Sequence, residues 1–368
     1  MPSVYYISNH GILTPKLFKL LLSPIRKLNI MKLHVKRVTR TDVAKEAGTS
    51  VAVVSYVVNN GPRPVAEATR KRVLEAIKKT GYRPNGIAKA LVSGTTQAYG
   101  LVVPNISNPF ISSIAHALQQ EAFKHGQVLL LGDSGDDRKR EKELINNLLQ
   151  RQVDGLIYVS VDRHPCIELI QESGTPYVML DRVDTNLNVS AIIVNERLAA
   201  FKITQHLAQH GYRDIAIICG PCDMLNTQDR IAGWRDALQH ANLAVHEEWI
   251  FSTDYTRMGG YEMTLKMLKG KRPRALFATN ELQAFGCLRA LSEQGIKVPD
   301  DMALVCFNAT QQSQFNVPSL TAVRQPIDRM AKTAIEMLKT WNGEARECEF
   351  EFDLQIGESC GCTSIVKE

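Results

Sequence analysis

Nowhere in its 368 residues does this chain stay apolar for the ~18 positions that a membrane-spanning helix needs, so no transmembrane helix is expected. Its eight cysteines lack the dense, regular spacing of a secreted disulfide scaffold and read as reduced thiols of a cytoplasmic protein. No glycine-rich GxGxxG or Walker phosphate loop is present and no nucleophile–base arrangement stands out. Enzyme activity, a cofactor and a bound metal are therefore not expected. No signal peptide marks an exported protein, and no heptad tail beyond Glu358 would build a tetramer.

Acid is also scarce where base is plentiful. Residues 1–31 hold four Lys/Arg and no Asp/Glu, and residues 32–95 hold 13 Lys/Arg against four acids. The remainder, with 27 Lys/Arg against 34 acids, is acidic. A basic N-terminal module on an acidic body is the electrostatic footprint of nucleic-acid binding. Residues 1–37 are expected to be a leader, disordered or upstream of the true start. Pro15 and Pro24 interrupt its apolar, basic run, and Met31 is an ordinary start for the basic segment after it; a membrane-surface helix is the second reading.

The basic module has its own pattern. In Val38–Asn60, VTRTDVAKEAGTSVAVVSYVVNN, Val43, Ala44 and Ala47 recur at helical spacing. Thr39 and Asp42 make a capping-box start, and Gly48 provides the positive φ that ends the helix. Ser50 then caps a second helix whose Val54, Val57 and Val58 are spaced to pack back on the first. A third helix, ATRKRVLEAIKKTGYRPN, is expected to turn Val73, Leu74 and Ile77 inward and to end at Gly81. Two short helices about a tight turn make a helix-turn-helix, whose second helix enters the DNA major groove. A bare helical hairpin is the bland alternative.

These segments, the IAKAL stretch and GLVVPNISNPF resemble the lac repressor (LacI/GalR) family of bacterial transcription regulators, from Val38 to Cys362. The resemblance implies a helix-turn-helix domain over 38–84, a hinge helix and linker over 85–97, and a two-lobed effector-binding and dimerisation body over 98–368. It places base-edge readers at Val51, Ala52 and Tyr56. The first two can touch only a thymine methyl, and Tyr56 stands where many members have Arg. Thr39, Ser50, Ser55, Asn59, Asn60 and Thr69 are candidates for phosphate contacts, with plain capping as the rival role for Thr39 and Ser50. In the hinge, Asn85, Ala88 and Leu91 are assigned to DNA. Leu91 matches the leucine that wedges into the minor groove, and Ala88 matches the small residue facing the partner hinge.

Beyond Ala98, short β-rich runs (YGLVVP, VLLLGD, DGLIYVS, YVMLD, AIIV, IAIICG, ALFAT and ALVCF) alternate with helical stretches. This is the signature of open parallel α/β sheets, here in two lobes, with a ligand cleft at the strands' C-terminal ends. Residues just after strands are effector candidates: Asn108, Phe110, Asp133, Ser160 and the Asp181-Arg182 pair. The family resemblance adds Tyr255, where members often have an aromatic platform, and Asn280 and Glu281, where they often have an acidic polyol ligand, with Asn308 where the family has an acid. NTQDRIAGW resembles the family's effector-arginine segment and singles out Arg230, with Asn226 one turn before it. Arginine's fork suits paired sugar hydroxyls or an anion.

Two cysteine motifs compete with this picture. Cys219-Gly220-Pro221-Cys222 has the thioredoxin tetrapeptide, but that chemistry needs the first thiolate at a helix N-terminus, and here it ends a strand. Cys360 and Cys362 lack a second cysteine pair at zinc spacing. The expectation is a cytoplasmic, dimeric repressor. It binds a near-palindromic operator in double-stranded DNA and answers to a small molecule, a sugar or sugar derivative first and a nucleoside or purine next. A solute-binding protein without a DNA role and a thiol-disulfide protein working through Cys219/Cys222 are the alternatives.

Overall fold

The computed structural model describes residues 38–59, 61, 63–160, 165–181 and 187–362, together with a two-residue strand pair at Ile7–Ser8 and Gly11–Ile12. The remainder of the expected leader, Asn60 and Arg182 lie outside the described residues. The chain divides into two units, 1–86 and 87–368.

The first unit is a helical triplet: α1 (Arg40–Ala47), α2 (Val51–Asn59) and α3 (Glu67–Thr80). Thr39 accepts from the Asp42 amide at 3.4 Å while the Asp42 carboxylate accepts from the Thr39 amide at 2.8 Å, the expected capping box. Gly48 closes α1 at φ 60° and Gly81 closes α3 at φ 68°, a conformation glycine adopts without steric penalty. Val43, Ala44, Ala47, Val54, Val57, Val73, Ala76 and Tyr82 form the core. Two expectations shift. Leu74 is half exposed and Ala76 takes the inward place, because positions 73, 76 and 77 share a helical face and 74 is a third of a turn away. Val58 is only partly buried.

Helix α4 (Gly86–Ser93) begins on the last residue of the first unit, and from there the second unit continues as two α/β lobes. The first lobe has strands β1 (Ala98–Val103), β2 (Val128–Asp133), β3 (Gly155–Tyr158), β4 (Tyr177–Leu180) and β5 (Ala191–Val194), and β11 (Glu347–Phe350) returns to its edge. All pair in parallel, in the order β11-β5-β4-β3-β1-β2. Helices α5 (Pro109–Lys124) and α13 (Ile327–Lys339) cover one face, and α6 (Arg138–Gln150) and α7 (Ile167–Ser173) the other.

The second lobe holds β6 (Ile215–Cys219), β7 (Ile250–Ser252), β8 (Ala275–Ala278), β9 (Ala303–Phe307), β10 (Thr321–Arg324) and β12 (Asp353–Gln355), in the order β12-β10-β9-β8-β6-β7. Only the β12 pairing with β10 is antiparallel. Helices α8 (Glu196–Gln209) and α9 (Leu225–His240) cover one face, and α10 (Arg257–Met267) and α11 (Glu281–Glu293) the other; the short α12 (Gln311–Gln314) follows β9. The chain crosses between lobes three times, after β5, β10 and β11. Both central sheets are apolar on both faces, as parallel sheets must be when helices flank them.

Glycines set how closely the paired helices of the second lobe approach. A Cβ on Gly233 of α9 would lie 2.1 Å from the Arg197 carbonyl of α8, and one on Gly286 of α11 would lie 2.0 Å from the Arg257 carbonyl of α10. Backbone meets backbone at both crossings, so neither partner can yield by a rotamer change. Overpacking of this kind costs about 1–3 kcal/mol. Gly286→Ala is expected to lower the urea midpoint by a corresponding amount at unchanged slope. An unaltered midpoint would show that the helices separate freely.

Candidate functional site

In the first unit, Ser50 accepts from the Val53 amide at 3.3 Å and so starts α2. Val51 and Ala52 stand exposed at that start, and Tyr56 one turn on is partly buried. The Tyr56 ring lies over Gly61, close enough that a Cβ there would sit 2.6 Å from the ring. The Thr39 hydroxyl is engaged by the Asp42 carboxylate at 2.7 Å, Ser55 accepts from the Asn59 amide group at 3.3 Å, and Thr69 accepts from Arg72 at 3.5 Å. Lys71, Arg72, Lys78 and Lys79 are exposed along α3.

All of helix α4 after Gly86 belongs to the second unit. It carries Leu91 at 81% exposure, the most exposed leucine among the described residues, with Ala88 also exposed and Asn85 just before the helix. Burying a leucine is worth about 1.5–3 kcal/mol, and none of the described residues covers this one.

In the body, eight of the expected effector residues, Asp181 and Asn308 among them, converge between the lobes. Asn108 and Phe110 come from the start of α5, Asn226 and Arg230 from α9, Tyr255 from the loop after β7, and Asn280 from the start of α11. Ile111, Asp181 and Asn308 complete the lining. Asp181 follows β4 at φ 64° and Asn308 follows β9 at φ 68°. Both hold the left-handed conformation that Asp and Asn tolerate best among side-chain-bearing residues. Four asparagines thus surround one small space of about 10 Å³, and an adjoining cavity of about 400 Å³ shares Asn108, Ile111 and Tyr255 with it. A roomier groove of about 910 Å³, lined by Ser112, His116, Gln312 and Arg324 among others, shares none of these residues.

Arg230 is the centre of this arrangement. Only 2% exposed, it donates from Nε to the Glu196 carboxylate at 2.6 Å and from Nη1 to the Thr279 carbonyl at 2.6 Å. Its guanidinium lies 3.9 Å from the centroid of the Phe307 ring, a cation–π contact. Burial pushes the Glu196 carboxyl up to about 7 against the pull of Arg230, and the nearby Asp181 and Asp229 carboxylates push the same way as burial. Glu196 lies two residues past β5, so the rule that singled out residues after strands would have reached it too. Tyr255 is held by the Thr227 hydroxyl at 2.6 Å and donates to Asn226 at 3.4 Å.

Three expected residues are placed elsewhere. Asp133 ties its own loop to the one after β1, accepting from the Ile106 and Gly135 amides at 3.3 and 2.9 Å. Ser160 is fully buried beside the Tyr158 hydroxyl at 3.2 Å. Glu281 turns away to accept from the Thr310 hydroxyl at 2.7 Å; its extra methylene carries the carboxylate past the pocket. Arg182 lies outside the described residues.

The Cys-Gly-Pro-Cys motif does not gain the environment of an activated thiol. Cys219 is buried at the end of β6, and the next helix begins only at Leu225. Burial, with the Cys222 sulfur beside it, pushes the Cys219 thiol up to about 12. Among the described residues no helix is long and apolar enough to cross a membrane.

Comparisons with known proteins agree with this geometry. Residues 39–85 match the bacterial regulatory proteins, lacI family, and residues 204–358 match the periplasmic binding protein-like domain. Catabolite control protein A of Priestia megaterium is 33% identical over 82% of this chain and 91% of its own length. The HTH-type transcriptional repressor PurR of Aliivibrio fischeri (strain MJ11) is 32% identical over 82% and 90%. Among solved structures, the lac repressor dimer bound to operator and the anti-inducer ONPF superposes with a TM-score of 0.78 at 25% identity, covering 88% of this chain and 99% of the other. The transcriptional regulator CelR–cellobiose complex gives 0.65 at 29%, covering 88% and 100%.

Removing one partner of a buried ion pair costs about 3–5 kcal/mol, whereas replacing both by apolar groups is often neutral. Glu196→Ala is therefore expected to reduce stability sharply, and the double variant Glu196→Leu/Arg230→Met to recover most of the loss in a chemical denaturation series. A double variant no better than the single one would show that the pair's role is not electrostatic.

Proposed function

This chain belongs to the lacI family of bacterial regulatory proteins, and from that premise we propose that it is an effector-controlled repressor that binds a near-palindromic operator as a dimer. The observation that carries the reading is the pairing, on one chain, of a helix-turn-helix head with a two-lobed body whose lobes close on an amide-lined pocket. In the head, Val51, Ala52 and Tyr56 would meet base edges. Thr39, Ser50, Ser55, Asn59, Asn60 and Thr69 would position the phosphates. Leu91 would enter the minor groove, where its exposed side chain is covered, while Asn85 and Ala88 pack at the hinge.

The effector class we infer is a sugar or sugar derivative. A carboxamide both donates and accepts, as does a hydroxyl, so Asn108, Asn226, Asn280 and Asn308 match a polyol's alternating needs. Tyr255 and Phe110 offer ring faces, and Arg230 a fork of donors. Asp181, Glu196 and Asp229 surround that arginine and disfavour an anionic ligand such as a sugar phosphate. The narrow space over Arg230 implies that binding shifts lobe closure, and a ligand moves such an equilibrium only by binding the two states unequally. The likeness to a regulator solved with cellobiose supports the same class.

The test is operator binding by fluorescence anisotropy, at several salt concentrations, with and without the sugar that most raises the melting temperature in a thermal-shift screen. Affinity should fall steeply with salt as counterions are released. Leu91→Ala should weaken specific binding at least tenfold and leave non-specific binding intact. Tyr255→Phe and Asn226→Ala, which leave the buried Glu196–Arg230 pair intact, should keep operator binding and lose the response to the sugar. A full response in both cleft variants would remove the pocket from effector sensing, and equal losses of specific and non-specific binding in Leu91→Ala would remove the wedge.

A further inference from the structure

Far from the cleft, at the other end of α8, four metal-ligating side chains meet. His206 and His210 lie one turn apart at the end of that helix. Cys360 lies 154 residues beyond His206 and Cys362 152 residues beyond His210, both in the turn after β12. Their ligand atoms all fall within 4.8 Å of one another. The Nε2 of His206 is 3.3 Å from the Cys360 sulfur and 3.7 Å from the Cys362 sulfur, and the Nε2 of His210 is 3.1 Å from the Cys362 sulfur.

A tetrahedral zinc ion with metal–sulfur bonds of about 2.3 Å and metal–nitrogen bonds of about 2.0–2.1 Å requires sulfur–nitrogen edges of about 3.6 Å. All three measured edges lie within half an ångström of that value. The Nε2 of His206 faces both sulfurs at once, the convergence that one shared ion requires.

We propose that His206, His210, Cys360 and Cys362 form a structural site for a soft divalent metal ion of the zinc class. Two thiolates and two imidazoles are a donor set that selects such an ion over hard cations. With all four positions supplied by protein the site is closed, which makes it structural and not catalytic. Each thiol gives up its proton to solvent on ligation.

The surroundings suit this role. The Thr321 hydroxyl donates to the Cys360 sulfur at 3.0 Å, an outer hydrogen bond that orients a thiolate. Gly361 sits between the two cysteines at φ 91° with the Tyr212 hydroxyl 3.3 Å from where a Cβ would be. That backbone bend lets both sulfurs face one point. Cys360 is fully buried while His210 is exposed, so an ion can enter from solvent and be held from within. The ion would clip the end of α8 to the C-terminal turn, which is itself bonded to β9 and β10 through Ser359 and Thr321.

The experiment uses tag-free full-length protein purified anaerobically without chelator, with metal content measured by mass spectrometry. One zinc per chain is expected. Cobalt replacement should produce thiolate-to-metal charge-transfer bands and the intense d–d absorption of a tetrahedral site. Cys362→Ser and His210→Asn alter the two more accessible ligands and should each abolish stoichiometric binding and the cobalt spectrum, whereas Cys222→Ser should change neither. For the wild-type chain, chelation should lower the melting temperature and added zinc restore it. Metal-free protein with no cobalt spectrum would overturn the proposal. So would metal retained equally by both ligand variants, or a Cys360–Cys362 disulfide leaving six of the eight thiols titratable.

Discussion

A guanidinium does not shed its proton at any ordinary pH, so a buried arginine has to be answered wherever it sits. In this protein Arg230 is answered from three directions: Glu196 at the start of α8, the Thr279 carbonyl beyond β8, and the Phe307 ring at the end of β9. Each lies at the carboxyl end of a strand or just past it. The parallel sheets therefore deliver both the charge and its partners to one rim. The asparagines arrive by the same geometry, since Asn108, Asn280 and Asn308 all follow strands. Asn108 and Asn280 also cap the helices they precede. The pocket's polar lining is thus built from residues that the fold already needs at those places.

That is why much of the site is readable from sequence. A rule about strand ends finds Asn108, Phe110 and Asp181 because topology, not side-chain detail, puts them there, whereas Tyr255 and Asn280 come from the family resemblance. It fails where detail decides. Glu281 occupies a strand-following position as good as that of Asn280, but its carboxylate finds the Thr310 hydroxyl. Asp133 is claimed by the amides of its own loop and of the neighbouring loop after β1. Short polar side chains at strand ends have two employers, the turn and the cleft, and sequence spacing does not tell which wins. In the head the reverse holds. Caps and glycine stops are local chemistry, so Thr39, Asp42, Gly48 and Gly81 are legible residue by residue, whereas the inward face of α3 requires the phase of the helix. A small error of phase there exchanges Leu74 for Ala76.

The His–Cys cluster is illegible for a different reason. Metal motifs are recognised when their ligands are close in sequence, and this one joins a helix to a turn 154 residues away. Half of it, Cys360-Gly361-Cys362, looks like an orphan. The other half, two histidines four apart on a helix, looks like solvent-facing surface. Only the return of the chain through β12 to the edge of the second lobe brings them together.

That return gives α8 a particular position. Its first residue, Glu196, holds Arg230 in the proposed effector pocket, and its last turn holds His206 and His210 in the proposed metal site. The ten residues from Glu196 to His206 span about 15 Å at the helical rise. Along that length Ala199, Ala200, Ile203 and Leu207 are packed into the core and Gly233 of α9 touches its backbone. A helix gripped along its buried face transmits displacement as a rigid body more readily than it bends, because close-packed interiors resist compression. An ion at the far end would therefore set the reference against which Glu196 moves when the lobes close. Losing that ion would loosen the frame that holds the arginine's partner without touching the pocket itself.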